Sequence, residues 1–224
     1  MSVLSNRQIW ESIANGHIIC HPFNQNHLAY TSLDVTLGYY FYRVEAANKR
    51  TVHNPLDRED VERYFDGPYK AMPHAEWCAL NGLKPVAGIP EKHPVIALHP
   101  GERILAHTHE FLGIRAPGAG EIKGHDNWSR SGISVTLDGG WIGPDATNRL
   151  TLTIHNLNQH ETILLPVGER VAQVVFHETG AVDTRPNSQN LEALVRTWSP
   201  SLMLPQAWKD QRSLPQKVEG LSYE

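Results

Sequence analysis

The fold is decided by residues 150–176, which read LTLTIHNLNQHETILLPVGERVAQVVF. Polar and apolar residues alternate over 150–155, and two further apolar runs, 162–165 and 170–176, flank the short segment 166–169. Alternation with a period of two indicates strands with one buried face, and Pro166 with Gly168 is typical of a tight turn. This stretch therefore predicts one strand followed by a strand–turn–strand unit.

The same pattern continues towards the N-terminus. Residues 95–98 and 103–107 are apolar runs around the turn His99-Pro100-Gly101-Glu102, and we expect them to form a hairpin. Residues 31–38 are rich in β-branched side chains and predict another strand. Many short strands separated by turns favour an antiparallel sandwich or barrel over a βαβ fold. The chain is therefore expected to be mainly β.

Helices are predicted at the two ends of this β body. Ser5 and Gln8 have the spacing of a capping box, so a short helix should cover residues 6–15, with Gly16 at its exit. A second helix is predicted near the C-terminus, where apolar residues share one helical face: Leu191, Leu194, Val195 and Trp198.

We expect one domain over residues 1–224, which is long enough to bury a single core. Residues 46–93 are polar with scattered Pro and Gly, and they predict an insertion of loops with one helix near Arg58–Tyr64. Residues 200–224 have no evident packing face and predict a flexible tail.

Composition excludes several classes of protein. A formal charge of −4 favours neither nucleic acid nor a membrane surface as partner. No stretch approaches the roughly 18 apolar residues of a membrane-spanning helix. The N-terminus lacks the pattern of a signal peptide, and the two cysteines, Cys20 and Cys78, are far apart. These features favour a reducing, cytoplasmic location.

Five segments, in order, resemble the deaminase branch of the dCTP deaminase/dUTPase family. Each is weak alone, but their order and spacing over residues 4–173 are specific. The segments are LSNRQI (4–9), SLDVTLG (32–38), HPGE (99–102), GISV (132–135) running into LDGGW (137–141), and PVGERVAQ (166–173).

The resemblance implies a distorted jelly-roll or β-barrel subunit of the trimeric dUTPase type, with short N- and C-terminal helices. It also implies a homotrimer with active sites shared between subunits. The implied ligand is a pyrimidine deoxynucleoside triphosphate, with Mg²⁺ bound through the substrate phosphates and no metal ligand assigned in the chain itself.

Three residues gain specific roles from the resemblance. Asp138 corresponds to the catalytic aspartate that orients a water molecule, Trp141 to the ring beneath the deoxyribose, and Gln173 to a glutamine of the ligand pocket. Each has an alternative: Asp138 could cap a turn, Trp141 could belong to the core, and Gln173 could be a solvent-facing strand residue. Asp34 matches a residue that supports the site, with a structural role equally open.

The sequence departs from the family at the phosphate-binding motif. Where the family has Arg-Ser-Ser, this chain has His125, Asp126 and Asn127. An aspartate repels phosphate unless a cation lies between them. Substrate contact is nevertheless assigned to this segment and to Arg130. Compensating charge is expected from Lys123, Arg130 or the tail residues Lys209, Arg212 and Lys217.

The second departure is Thr153, a substrate-site position where the deaminase branch has a proton-shuttling glutamate. A hydroxyl does not replace that carboxylate, and loss of such a group typically costs about 10²–10⁴-fold in rate. Hydrolysis of dUTP to the monophosphate and diphosphate is therefore the favoured hypothesis. Deamination of dCTP and a non-catalytic, nucleotide- or protein-binding role remain alternatives.

A histidine metal site is a further, weaker hypothesis. His107 and His109 lie two apart on a predicted strand and would share one face. No third ligand is evident in the sequence, and hydrogen-bonded or exposed histidines are the more usual outcome.

Overall fold

The computed structural model describes residues 2–44, 52–137, 139–144 and 147–182. The strands in these residues are β1 (Ser2–Val3), β2 (Ile18–His21), β3 (Leu33–Thr36), β4 (Tyr40–Val44), β5 (Phe65–Lys70), β6 (Met72–Pro73), β7 (Pro94–Leu98), β8 (Arg103–Ile114), β9 (Gly118–Gly124), β10 (Ile133–Val135), β11 (Trp141–Ile142), β12 (Thr147–Asn156), β13 (Ile163–Pro166) and β14 (Arg170–Glu178). The helices are α1 (Asn6–Ala14), α2 (Arg58–Tyr64), α3 (His74–Leu80) and α4 (Asp126–Arg130), and a single 3₁₀ turn covers Gln25–His27.

The described strands pair into three antiparallel sheets. The first sheet runs β1-β14-β9-β11, with β3 also paired to β14. The second runs β10-β12-β8-β4-β5, with β2 also paired to β8, and the third runs β13-β7-β6. The expectation of a mainly β, antiparallel protein is confirmed.

The predicted hairpin of β7 and β8 is wrong in its pairing. Strand β7 pairs with β13 and β6, whereas β8 pairs with β12, β4 and β2. The turn itself exists, with Gly101 in the left-handed region at φ 67°, but it carries the chain from one sheet to another. Alternation fixes which face of a strand is buried and leaves its partner open. Partner choice depends instead on long-range packing, which a local sequence pattern does not specify.

The predicted N-terminal helix is confirmed as α1. Ser5 accepts a hydrogen bond from the Gln8 backbone N–H, and the Gln8 side chain in turn accepts from the Ser5 backbone, which completes the capping box. The chain leaves the helix through Gly16 at φ 75°. The predicted C-terminal helix and the tail lie outside the described residues.

The insertion is more structured than the sequence predicts. Its helix is confirmed as α2, but strands β5 and β6 and helix α3 replace the expected loops over the described part, residues 52–93. Val61 of α2 packs with Phe65 and Leu105 in a small cluster separate from the main core. Strand β5 pairs with β4 at an edge of the second sheet. The insertion therefore extends that sheet and covers part of its outward face.

The main core lies between the sheets and is closed by a buried amide. Asn156 is fully buried, and its Nδ2 lies within 3.1 Å of the carbonyl oxygens of Leu98, His99 and Glu161. The Asn156 Oδ1 accepts a 3.0 Å hydrogen bond from the Asn158 backbone. One side chain thus ties the end of β12 to the end of β7 and to the following loop, because a buried amide must be hydrogen-bonded.

Gly38 is required by the buried imidazole of His107. A Cβ at position 38 would lie 2.1 Å from Cε1 of His107. The imidazole cannot move aside, because its Nδ1 donates to the Thr108 carbonyl at 2.7 Å and its Nε2 accepts from the Tyr40 backbone N–H at 3.2 Å. The histidine is therefore held in the Nδ1–H tautomer against the glycine.

We predict that Gly38→Ala lowers the free energy of unfolding by about 1–3 kcal/mol, because the added methyl group overpacks a rigid site. Urea denaturation measures the effect. Gly180→Ala is the matched control, since a Cβ there meets nothing within 4 Å. Equal stability of the two variants would contradict the packing described for His107.

Candidate active site

A pocket of about 280 Å³ opens on the first sheet, between β9 and the chain that runs from β10 to β11. Its walls combine two charged side chains, an aromatic ring and a tight turn. The lining residues include Glu121, Lys123, Thr136, Leu137, Gly140 and Trp141.

Strand register places the polar side chains of this region on one face. Trp141 lies opposite Glu121 across β11 and β9, and Gln173 lies opposite Lys123 across β14 and β9. Directly opposite residues of an antiparallel pair project to the same side of a sheet. Glu121 and Lys123 are two apart on β9 and therefore share that side. All four side chains thus belong to the outward face, away from the core.

Trp141 is a surface ring. It is 59% exposed, so the alternative of a core tryptophan is wrong. Its indole lies nearly parallel to the His177 imidazole, with 6.5 Å between the centroids and 20° between the planes. A flat aromatic surface of this kind, exposed at a pocket, can support the apolar face of a sugar or base.

The pocket wall next to Trp141 is a strained turn. Thr136 and Leu137 have positive φ values, 67° and 47°, a conformation that costs non-glycine residues about 1–3 kcal/mol each. The Thr136 backbone donates to the Thr153 carbonyl at 2.8 Å, and Gly139 N–H donates to the Thr136 carbonyl at 3.0 Å. A turn is therefore present, as the alternative for Asp138 expected, but it lies at the pocket. Strain of this kind is characteristic of functional sites.

Asp138 itself lies outside the described residues, as does Lys217. The chain on both sides of Asp138 is nevertheless held closely. Leu137 precedes it in the strained turn, and Gly140 follows with its Cα so close to β9 that a Cβ would lie 2.5 Å from the Ile122 carbonyl oxygen. Leu137 and Gly140 both line the pocket.

The residues in place of the Arg-Ser-Ser motif lie just beyond β9, at the start of α4. They adjoin the pocket through Gly124 and do not line it. Nδ1 of His125 is buried, 3.4 Å from Asp126 Oδ1, without a hydrogen bond. Asp126 also pairs with Arg130 at 2.9 Å, and the two side chains are 61% and 78% exposed. The Arg130 charge is therefore balanced by the aspartate, while Asn127 is exposed.

Gln173 is oriented by a neighbour. Its Oε1 accepts a 2.9 Å hydrogen bond from the hydroxyl of the buried Ser32, so the amide is fixed and is more than a solvated strand residue. Asp34 lies opposite Gln173 in β3 and pairs with Arg170 at 3.1 Å. Asp34 is buried, and its carboxylate is paired with Arg170.

Thr153 is separated from these side chains. It belongs to β12 of the second sheet, lies opposite Leu105, and does not line the pocket. Leu105 packs with α2 outside the main core, so Thr153 faces the outward side of the second sheet. Its contact with the pocket is through its carbonyl, which holds Thr136.

The structure does not bring His107 and His109 into a metal site. Among the described residues, no group of three His, Cys, Asp or Glu side chains is placed to hold an ion. Both nitrogens of His107 are already hydrogen-bonded, and burial lowers the pKa of this imidazole below its usual value.

No helix in the described parts of the chain has the length and apolar character needed to cross a bilayer.

Fold and pocket together define a β protein with a small polar site on a sheet face. The family model for dCTP deaminase-like proteins matches residues 3–179. The "dCTP deaminase, dUMP-forming" of Methanopyrus kandleri is 28% identical over 196 residues, which cover 85% of this chain and 89% of the relative. The protein of the same name from Methanosphaera stadtmanae is 27% identical over 187 residues, with 83% and 84% covered.

A solved structure supports the fold alone. The 2′-deoxycytidine 5′-triphosphate deaminase of Agrobacterium tumefaciens superposes with a TM-score of 0.53 at 18% identity, over 87% of this chain. This chain spans only 53% of the length of that protein. The chain belongs to the dCTP deaminase-like family, and its fold is of the jelly-roll type.

Two pocket residues were not among the predicted site residues. Glu121 carries no sequence signal of its own, and Lys123 stood only as one of several compensating charges. The register of β9 against β14 identifies both. Lys123 and Glu121 lie two residues apart on β9, so their side chains share one face of the strand. Gln173, opposite Lys123 in the paired strand β14, lies on the same face.

We predict that Trp141→Ala changes the free energy of unfolding by no more than about 0.5 kcal/mol, because the ring is exposed. Phe176→Ala, on the buried face of the same sheet, should cost about 3–5 kcal/mol. Urea denaturation compares the two variants. Comparable losses would mean that Trp141 is a structural residue.

Proposed function

We propose that the pocket binds a pyrimidine deoxynucleoside triphosphate and that the protein hydrolyses dUTP to dUMP and diphosphate. The observation that carries this proposal is the strained turn Thr136–Leu137, which lines one pocket together with a cation, Lys123, and an exposed ring, Trp141. Strain held in place by hydrogen bonds on both sides favours a positioned catalytic group over a simple chain reversal.

Trp141, Asp138 and Gln173 have separable roles in this proposal. The exposed ring of Trp141 supports the deoxyribose and leaves no room for a 2′-hydroxyl. Asp138 orients the water molecule that attacks the α-phosphorus. Gln173, held by Ser32, offers its amide to the ligand from the neighbouring strand.

In this proposal Mg²⁺ enters the site as an ion carried by the substrate phosphates. The carboxylate of Asp126 is 61% exposed beyond the end of β9, and a carboxylate beside phosphates suits a hard divalent cation. Mg²⁺ bound to phosphate oxygens would supply charge neutralisation during hydrolysis.

A homotrimer with shared sites is part of the proposal. Trp141 and Gln173 face outward from the first sheet, whereas Thr153 faces outward from the second. A site that uses both faces therefore needs a second copy of the chain. The family resemblance of the sequence motifs implies the same arrangement.

Deamination of dCTP is the second candidate. The relatives named above are dCTP deaminases that form dUMP, so both deamination and phosphate release belong to their activity. Thr153 argues against the deamination step here, because its hydroxyl cannot shuttle a proton as a carboxylate does. A non-catalytic binding role is the third candidate, supported by the Asp126–Arg130 pair in the altered phosphate motif.

We predict that the protein with Mg²⁺ releases diphosphate and dUMP from dUTP and no ammonia from dCTP. Asp138→Asn should lower the rate at least about 100-fold, because the water loses its carboxylate. Asp66→Asn, on β5 away from the pocket, is the control and should retain full activity. Ammonia release from dCTP would instead establish the deaminase candidate, and absence of turnover and of nucleotide binding would remove the proposal.

Thr153→Glu should restore deamination of dCTP if the rest of the site is intact, since it returns a carboxylate to the shuttle position. Ammonia release measures the gain. Thr151→Glu is the matched control, because residue 151 lies on the same face of β12, two positions away. A gain in both variants, or in neither, would count against Thr153 as the position that limits deamination.

A further inference from the structure

Lys123 is the cation of the pocket. It lies one residue before the end of β9, on the outward face, opposite Gln173. Among the described residues that line the pocket, it alone carries a positive charge. Its side chain is 54% exposed, so an anion in the pocket can reach it.

The present partner of Lys123 is Glu121. The Nζ of Lys123 contacts Oε1 of Glu121, two residues earlier on the same face of β9. Glu121 is itself 38% exposed, and its other oxygen lies 3.9 Å from Nε2 of His177. Ion pairs this exposed contribute little to stability. A phosphate group, with more charge and more acceptor oxygens, is therefore able to displace Glu121 from Lys123.

A further cation, Arg130, lies beyond the end of β9 and does not line the pocket. Arg130 is held by Asp126 at 2.9 Å, outside the residues that line the pocket. The Nδ1 of His125 is buried and makes no hydrogen bond. The altered phosphate motif thus presents an acid and a paired arginine, while Lys123 stands inside the pocket.

We propose that Lys123 binds the phosphates of the nucleotide and that Glu121 is its resting partner, which competes with the ligand. This inference rests on the proposed function, because it assumes a nucleotide in this pocket. Lys123 then distinguishes phosphorylated ligands from the bare nucleoside, and Glu121 weakens every phosphorylated ligand.

Substitutions of the two residues should have opposite effects on the Kd of the triphosphate. Lys123→Met keeps the apolar stem and removes the charge, and it should raise the Kd of α,β-imido-dUTP roughly 10- to 100-fold. Glu121→Gln removes the competitor and should lower that Kd by about two- to fivefold. Neither variant should alter the Kd of deoxyuridine by more than about twofold. Isothermal titration calorimetry of the full chain with Mg²⁺ measures the Kd of each ligand for the wild type and for both variants.

Matched controls come from α2. Arg58 and Glu62 form an exposed ion pair at 2.8 Å, outside the pocket. Arg58→Met and Glu62→Gln make the same charge changes and should leave all nucleotide affinities unchanged. They separate a contact in the pocket from an effect of net charge.

Each result decides the matter. An unchanged triphosphate Kd in Lys123→Met, with the wild type binding normally, overturns the inference and leaves the proposed function in place. Equal losses for deoxyuridine and the triphosphate also overturn it, because they indicate a structural role. Weaker binding in Glu121→Gln overturns the assignment of Glu121 as competitor. A wild type that binds neither probe removes the proposed function itself.

Discussion

Strand β14 is the constraint on which the first sheet and its pocket depend. Its one edge pairs with β3 and β1 and its other edge with β9, so three other strands take their register from it. Ala172, Val174 and Phe176 are buried, whereas Gln173 and the alternate residues face outward. A slip of one residue would exchange the two faces. Burial of the apolar set thus fixes the polar set as well.

The polar face acquires its shape from a second constraint, the close approach of the chain to β9. Gly140 allows that approach, because any Cβ would collide with the Ile122 carbonyl. Upstream, the Thr153 carbonyl of the other sheet holds the Thr136 backbone. The left-handed pair Thr136 and Leu137 lies between these anchors, and its strain is sustained by packing on both sides. The pocket is therefore built by the junction of two sheets.

Local signals in the sequence predicted local structure well. The capping box at Ser5 and Gln8 correctly predicted α1, and the helix predicted near Arg58–Tyr64 is present as α2. Pairing between distant strands was not predictable in the same way: the turn at Gly101 was identified, but it joins different sheets, because a turn specifies a reversal and leaves the partner open.

The candidate site likewise contains features that the sequence alone predicted and features that only the folded structure revealed. The motif around Trp141 was visible in the sequence as a resemblance, and the ring is exposed as a ligand surface requires. The Lys123–Glu121 pair became visible only when the register of β9 against β14 placed it beside Gln173. The Asp126–Arg130 pair likewise needed the helical turn of α4, which brings residues four apart together.

The side chains to which the proposed function assigns ligand contact lie on a different sheet from position 153. The ring, the amide and the cation lie on the outward face of the first sheet, where β14 fixes them together. Position 153 lies on the second sheet and contributes only its backbone to the pocket turn. Because a backbone carbonyl is the same for every residue type, the side chain at position 153 can change without loss of the hydrogen bond to Thr136. The fold therefore permits a change of side chain at position 153 while the outward face of the first sheet keeps its geometry.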